Sequence, residues 1–234
     1  MCGRGTLTIP FEDLEYRFGA AMPDGGRSES FISLPSYNMA PSQFLPVITG
    51  DEPGLIQFYR WGLVPFWAEK EKTNYSMINA RIETVTEKPS FRHLLSRRRC
   101  LWPVDGYYEW IRSGAERIPY RVTLHDQSIF SVAGLWDCWR SETGEELYTF
   151  TILTCPAHPS MEYLHPRMPV ILPRSLEKTW IDPEWDPGDF LQHPPEIGED
   201  SLRVYRVSTK VNSVKDNSKD LIREVPDIQQ GMLF

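Results

Sequence analysis

Leu101-Trp102-Pro103-Val104-Asp105-Gly106-Tyr107-Tyr108-Glu109-Trp110 is the most informative stretch of this 234-residue chain for its fold. Aromatic and apolar residues dominate it, which suits a pleated, largely buried strand. The stretches around it have the same character. Residues 55–62, 120–124, 128–135, 147–154 and 203–208 are rich in β-favouring side chains and are separated by turn residues. The 20 prolines and 15 glycines are spread throughout and cut the chain into short elements. Helical spacing is confined to a few places. Phe11, Leu14 and Phe18 share a helical face that Gly19 closes, and residues 175–181 read as a short helix capped by Ser175. Residues 24–30 read as a loop, and 182–199 as an acidic, proline-rich surface excursion with one helical turn. Neither a repeat nor an interdomain linker is evident. The expected fold class is α+β: a single domain over residues 1–225, dominated by antiparallel strands in a curved sheet or barrel-like arrangement, with a few flanking short helices. A flexible tail, 226–234, is expected to follow.

Composition narrows the function. Apolar residues make up 41% and charged residues 24%, the balance of a globular chain and too apolar for a disordered one. The longest apolar runs are about six residues, far short of a membrane span. With no apolar core of a signal peptide at the start, the expected location is cytoplasmic and nucleoid-associated, with no membrane partner. A net charge of −7 argues against a bulk basic nucleic-acid binder but leaves room for a local basic groove. The densest basic stretch is Arg92-His93 followed by Arg97-Arg98-Arg99. Cys2, Cys100, Cys138 and Cys155 form no CxxC pair, and His93, His125, His158, His165 and His193 form no ligand cluster. No metal and no cofactor is therefore expected. Cys100, Cys138 and Cys155 sit among apolar neighbours and read as core.

Cys2 is different. Aminopeptidases remove Met1 when the second side chain is small, which would leave an amine and a thiol on adjacent carbons. With pKa values near 8 and 8.5, both groups have reactive fractions at neutral pH. Such a pair condenses with an aldehyde. The amine forms an imine, and the sulfur then closes a five-membered thiazolidine with the advantage of an intramolecular step. The competing reading is a frayed terminal thiol. Gly3 permits close packing, and Arg4 places a cation that lowers a cysteine pKa and suits a phosphate.

Three further segments carry candidate chemistry. In Ile78-Asn79-Ala80-Arg81, Asn79 can donate and accept and Arg81 can clamp an anion. In the 101–110 stretch, burial would raise the pKa of Glu109 and ready it for proton transfer, the alternative being an exposed strand-face carboxylate. In His165-Pro166-Arg167-Met168-Pro169, His165 has the pKa of a proton shuttle, the alternative being a structural histidine.

Taken together these segments resemble the SRAP (SOS response-associated peptidase) family. The matching pieces are Met1-Cys2-Gly3-Arg4, Tyr37-Asn38-Met39-Ala40-Pro41, Trp61-Gly62-Leu63-Val64-Pro65, Asn79-Ala80-Arg81, Gly106-Tyr107-Tyr108-Glu109-Trp110, His165-Pro166-Arg167-Met168-Pro169 and Val211-Asn212-Ser213-Val214. They occur in the family's order over about residues 1–215. The resemblance implies a sensor of abasic sites in single-stranded DNA that forms a thiazolidine crosslink, with crosslink reversal and abasic-site lyase activity. It implies Cys2 as nucleophile, Asn79 orienting the opened sugar, Glu109 assisting proton movement and His165 acting as acid and base. Arg4, Arg81 and Arg167 are then expected to line one groove and grip phosphates, with Trp67 as an aromatic wedge against bases. The family often shows two tryptophans where this chain has Phe66-Trp67-Ala68, and ordinary core remains the alternative for Trp67. Arg97-Arg98-Arg99 would extend the groove or form a solvated turn. The older family name reflects a proposed thiol autopeptidase.

The chain ends Gln229-Gln230-Gly231-Met232-Leu233-Phe234. Gln230, Leu233 and Phe234 resemble the short peptide by which bacterial proteins dock on the replication sliding clamp; the alternative is an apolar tail folded onto the core. Two other functions compete with the crosslinking reading. An N-terminal thiol hydrolase would use Cys2 with His165 as base and need an oxyanion hole. A non-catalytic single-strand binding module would not need Cys2. A monomer is expected in each case.

Overall fold

The computed structural model describes residues 2–23, 31–71, 77–114, 116–197 and 201–226. The expected loop at 24–30 and the clamp-like residues Gln230, Leu233 and Phe234 lie outside the described residues. The strands are β1 (Gly5–Leu7), β2 (Ser36–Met39), β3 (Phe44–Thr49), β4 (Gln57–Trp61), β5 (Asn79–Arg81), β6 (Arg99–Val104), β7 (Gly106–Ser113), β8 (Glu116–Leu124), β9 (Phe130–Arg140), β10 (Glu146–Pro156), β11 (Arg167–Pro169), β12 (Ile171–Leu172) and β13 (Leu202–Arg206). The helices are α1 (Phe11–Phe18), α2 (Arg174–Ile181) and α3 (Gly188–Gln192).

The stretch 101–110 is two strands in two sheets. It turns a corner at Asp105, between β6 and β7. β6 joins a ring in which β10, β4, β3, β6 and β9 pair in succession and β9 pairs back to β10, closing a barrel. β7 belongs to a second, antiparallel sheet ordered β13-β8-β7-β1-β2. The buried Asp105 carboxylate holds the corner. It accepts from the Thr6 hydroxyl at 2.5 Å, the Thr8 amide at 2.6 Å and Nη2 of Arg121 at 2.8 Å. Antiparallel pairing dominates, as expected, but β4 and β5 both run parallel to β10.

The barrel interior explains why β6 lacks polar alternation. Cys100, Trp102 and Val104 face one core with Trp61 and Phe150, while Leu101 faces a second core built with Leu135 and Trp180. A strand buried on both faces has no solvent side to mark. β1 lies so close to this core that a Cβ on Gly5 would come within 2.7 Å of the Trp102 ring. Gly19 closes α1 in the left-handed region at φ 63°, with its role as expected. Ser175 is not the cap of α2. Pro173 occupies that position, and no side chain caps the helix. The acidic excursion after α2 is tied to the core, because Phe190 packs 4.9 Å from Trp180 and Trp185 packs edge-on against Phe190.

Candidate active site

Strand pairing gathers residues far apart in sequence. Gly5 pairs with Tyr107, and the Tyr108 amide donates to the Arg4 carbonyl at 3.1 Å. The antiparallel register therefore carries Cys2 toward Glu109 on β7. On the other side β10 acts as a hub: Thr154 pairs with Arg81 of β5 and with Pro169 of β11. Asn79 closes the gap between the two sheets by donating from Nδ2 to the Cys2 carbonyl at 3.0 Å.

The electrostatics of the cluster follow from burial. Cys2 is 0% exposed, so it is not a frayed thiol. Desolvation, reinforced by the nearby Glu109 charge, pushes its thiol far above the ordinary cysteine range. The lowering expected from Arg4 is outweighed: its backbone acts in that direction, but burial dominates. The Arg4 guanidinium donates to Asn38 Oδ1 at 2.7 Å and to the Val211 carbonyl at 2.8 Å, tying β1 to β2 and to the turn at Thr209–Asn212. Glu109 is 3% exposed, which excludes the exposed-face alternative. Burial raises its carboxyl above the usual range, while the charge on His165 acts in the opposite direction.

His165 stands just before β11 with Nδ1 3.0 Å from both the amide nitrogen and the carbonyl oxygen of Arg167. The Arg167 amide proton points at Nδ1, so the neutral ring accepts there and carries its own proton on Nε2. Asn79 Oδ1 is buried with no hydrogen-bond partner among the described residues. A buried acceptor without a donor costs about 1–3 kcal/mol, so this atom suits a ligand donor.

The cationic residues differ from one another. Arg81 is exposed on β5. Arg167 makes a two-pronged pair with Glu83 at 2.8 and 2.9 Å and donates to the Thr154 carbonyl at 2.6 Å. Burial works against ionising Glu83, but the Arg167 guanidinium holds its carboxyl below the usual range. In the Arg97-Arg98-Arg99 run, Arg99 is buried and donates to the Trp180 and Asp182 carbonyls, so it extends no groove. Arg98 pairs with the buried Asp137. Trp67 is 53% exposed and Phe66 56%, which excludes the core reading for Trp67.

A cavity of about 520 Å³ beside the N-terminus is lined by Gly3, Arg4, Pro41, Ser42 and Val214. A larger one of about 990 Å³, between α1 and α2, holds none of the motif residues. Sequence reasoning quoted Asn38 without giving it a role and passed over Glu83 and Asp137. Glu83 stands two residues beyond Arg81, the only local hint available. Asn38 and Asp137 act through contacts remote in sequence.

Two pleated sheets meeting at a corner, with a cysteine, an amide, a carboxyl and an imidazole gathered around the N-terminal strand, define a barrel protein whose chemistry centres on its chain start. Residues 1–214 match the family described as SOS response associated peptidase (SRAP), and the chain belongs to that family. It is 42% identical over 227 residues to the Bacillus subtilis (strain 168) protein called abasic site processing protein YoqW, covering 95% of this chain and 99% of that one. It is 29% identical over 267 residues to the Xenopus tropicalis abasic site processing protein HMCES, covering 96% of this chain and 78% of that one. A crystal structure of a Bacteroides thetaiotaomicron protein superposes with a TM-score of 0.86 at 28% identity, covering 96% of this chain and all of that one.

Proposed function

We propose that this protein captures abasic sites in single-stranded DNA as a covalent crosslink through Cys2 and can resolve the same intermediate as a lyase. The observation that carries the reading is the convergence of Cys2, Asn79, Glu109 and His165 from four separate parts of the chain. Removal of Met1 turns the Cys2 nitrogen into an amine. That amine adds to the aldehyde of the ring-opened deoxyribose, and loss of water gives an imine. The sulfur then adds to the imine carbon and its proton moves to the nitrogen, so one water leaves overall.

Burial sets the order of events. It keeps the thiol protonated, which favours amine attack first and sulfur closure second. It disfavours a thiol hydrolase, which needs the thiolate at the outset. Glu109, with its raised carboxyl, is suited to protonate the departing hydroxyl and to take up the thiol proton. Asn79 Oδ1 offers its vacant acceptor to the opened sugar. His165 serves as acid and base for imine formation and reversal. The same imine acidifies the adjacent sugar carbon, and β-elimination from it breaks the strand. Of the three residues proposed to meet phosphates, Arg81 is exposed, whereas Arg167 is ion-paired with Glu83 and Arg4 is bonded to Asn38 and the Val211 carbonyl. Trp67 offers a stacking face.

The direct test is a denaturing gel with single-stranded DNA bearing one abasic site. A slow covalent band is expected with the mature protein and none with Cys2→Ala; Cys2→Ser loses the stable adduct. No band from the mature wild type contradicts the reading. The protein is read as a cytoplasmic monomer, and Gln230, Leu233 and Phe234 as a sliding-clamp peptide. Titrating a peptide of residues 225–234 against a bacterial clamp tests the latter, and absence of saturable binding removes it.

A further inference from the structure

Pro65, Phe66, Trp67 and Ala68 form a turn closed by the Ala68 amide donating to the Pro65 carbonyl at 2.9 Å. It displays two large aromatic side chains, each more than half exposed. Exposing two such rings side by side costs solvation that burial would recover, so the turn needs support from elsewhere.

The support comes from one strand. Asp137 Oδ2 accepts the Phe66 amide at 2.9 Å, and the indole Nε1 of Trp139 donates to the Ala68 carbonyl at 2.7 Å. Asp137 and Trp139 alternate on β9 and so face the same side. Asp137 is fully buried and is itself fixed by Arg98 and, at 3.5 Å, by His93 Nε2. The His93 ring meets Phe66 edge-on at 5.2 Å. Entry to the turn is pinned as well, because the Val64 amide donates to Thr149 Oγ1 at 2.9 Å. Both ends of the turn are therefore bolted to the barrel, not to each other alone.

We infer that Asp137 and Trp139 are positioning residues that hold the 65–68 turn rigid, so that Trp67 presents a preformed stacking face to an unpaired base beside the abasic site. The inference rests on the DNA reading above and adds the device that sets its stacking geometry. Preformed aromatic faces bind with less ordering cost than mobile ones. Both act on the turn through its backbone, Asp137 at the Phe66 amide and Trp139 at the Ala68 carbonyl.

The test uses the full chain and two single-stranded DNAs: one carrying 2-aminopurine next to a stable abasic analogue, for binding and quenching, and one carrying a natural abasic site, for crosslinking. Trp139→Phe keeps the aromatic bulk and removes only the indole donor. Asp137→Asn, checked by thermal melting, removes the charge that organises Arg98 and His93. Relative to wild type, Trp139→Phe is expected to lessen 2-aminopurine quenching and to raise the half-saturating DNA concentration by about fivefold, part of the contribution of one stacked base. Crosslinking at saturating DNA should stay within about twofold of wild type, because the reacting groups lie elsewhere. Trp67→Ala should show the same quenching loss, and adding Trp139→Phe to it should change nothing further. Equal quenching and equal half-saturation for wild type and Trp139→Phe would overturn the inference. The quenching needs binding alone, so a protein that binds but forms no crosslink refutes the covalent reading while still deciding this one. Should Asp137→Asn not fold, Trp139→Phe decides by itself.

Discussion

Glu109 pays for its position in stability. It is a carboxyl inside an aromatic strand, and its folded-state pKa lies above its unfolded value. Below the unfolded range both states hold the proton and the fold has its full stability; the difference is lost as pH rises through the folded pKa. Glu109→Gln is therefore expected to raise Tm at pH 8, by about 2–4 °C for each kcal/mol of ionisation cost removed. The gain should vanish near pH 4, and the same variant should crosslink more slowly. Melting curves at the two pH values with crosslinking time courses check this, and a Tm unchanged at pH 8 contradicts it. Arg4 and Arg81 separate in the same way. Arg4→Ala removes charged hydrogen bonds to Asn38 and Val211 and should cost roughly 2 kcal/mol or more in denaturant melts. Arg81→Ala, on an exposed side chain, should stay within about 0.5 kcal/mol of wild type. The sequence left Glu109 open between a buried carboxyl and an exposed strand face, and only its 3% exposure in the fold decides for burial. The work of Arg4 was not legible, since its acceptors lie 34 and 207 residues away.

Part of the strand set was legible as elements, and none of it as partners; β1, β2, β3, β5, β11 and β12 went unmarked. The β-favouring runs marked β4, β6 to β10 and β13, and the helical spacing marked α1 and α2. The corner inside residues 101–110 was missed, although Asp105-Gly106 is itself a turn pair. What makes it a corner is its reception by Thr6, Thr8 and Arg121 from other strands. The parallel pairing of β4 and β5 to β10 left no local trace either, because pairing depends on what the barrel brings alongside. Asp105→Ala tests the corner. It leaves the buried Arg121 charge without its carboxylate, at a cost of about 3–5 kcal/mol. Because β7 starts at this corner, crosslinking should fall along with stability in urea melts. A loss below about 1 kcal/mol would show that the corner holds without it.

At the scale of the whole molecule, an acidic protein must bind a polyanion through a small cationic face. Its net charge of −7 confines DNA contact to local cationic side chains, and the salt dependence counts how many of them meet phosphates. If Arg81 contacts one phosphate, Arg81→Ala should lower the slope of log K against log salt by about 0.7 for single-stranded DNA. Fluorescence anisotropy across a salt series measures this; an unchanged slope removes Arg81 from the contact. Motif order along the chain was enough to place the family, whereas the burial of Cys2 emerged only when β1 was seen lying between β2 and β7.

The most direct test is the chemical identity of the adduct. Mature protein is incubated with an abasic single-stranded oligonucleotide, digested, and analysed by mass spectrometry after treatment with a thiol alkylating reagent. The expected species is the Cys2-terminated peptide joined to the sugar with loss of one water, its sulfur resistant to alkylation. A nucleotide-bearing peptide attached through a lysine, or a Cys2 adduct whose sulfur still alkylates, would contradict the joint capture of the aldehyde by nitrogen and sulfur.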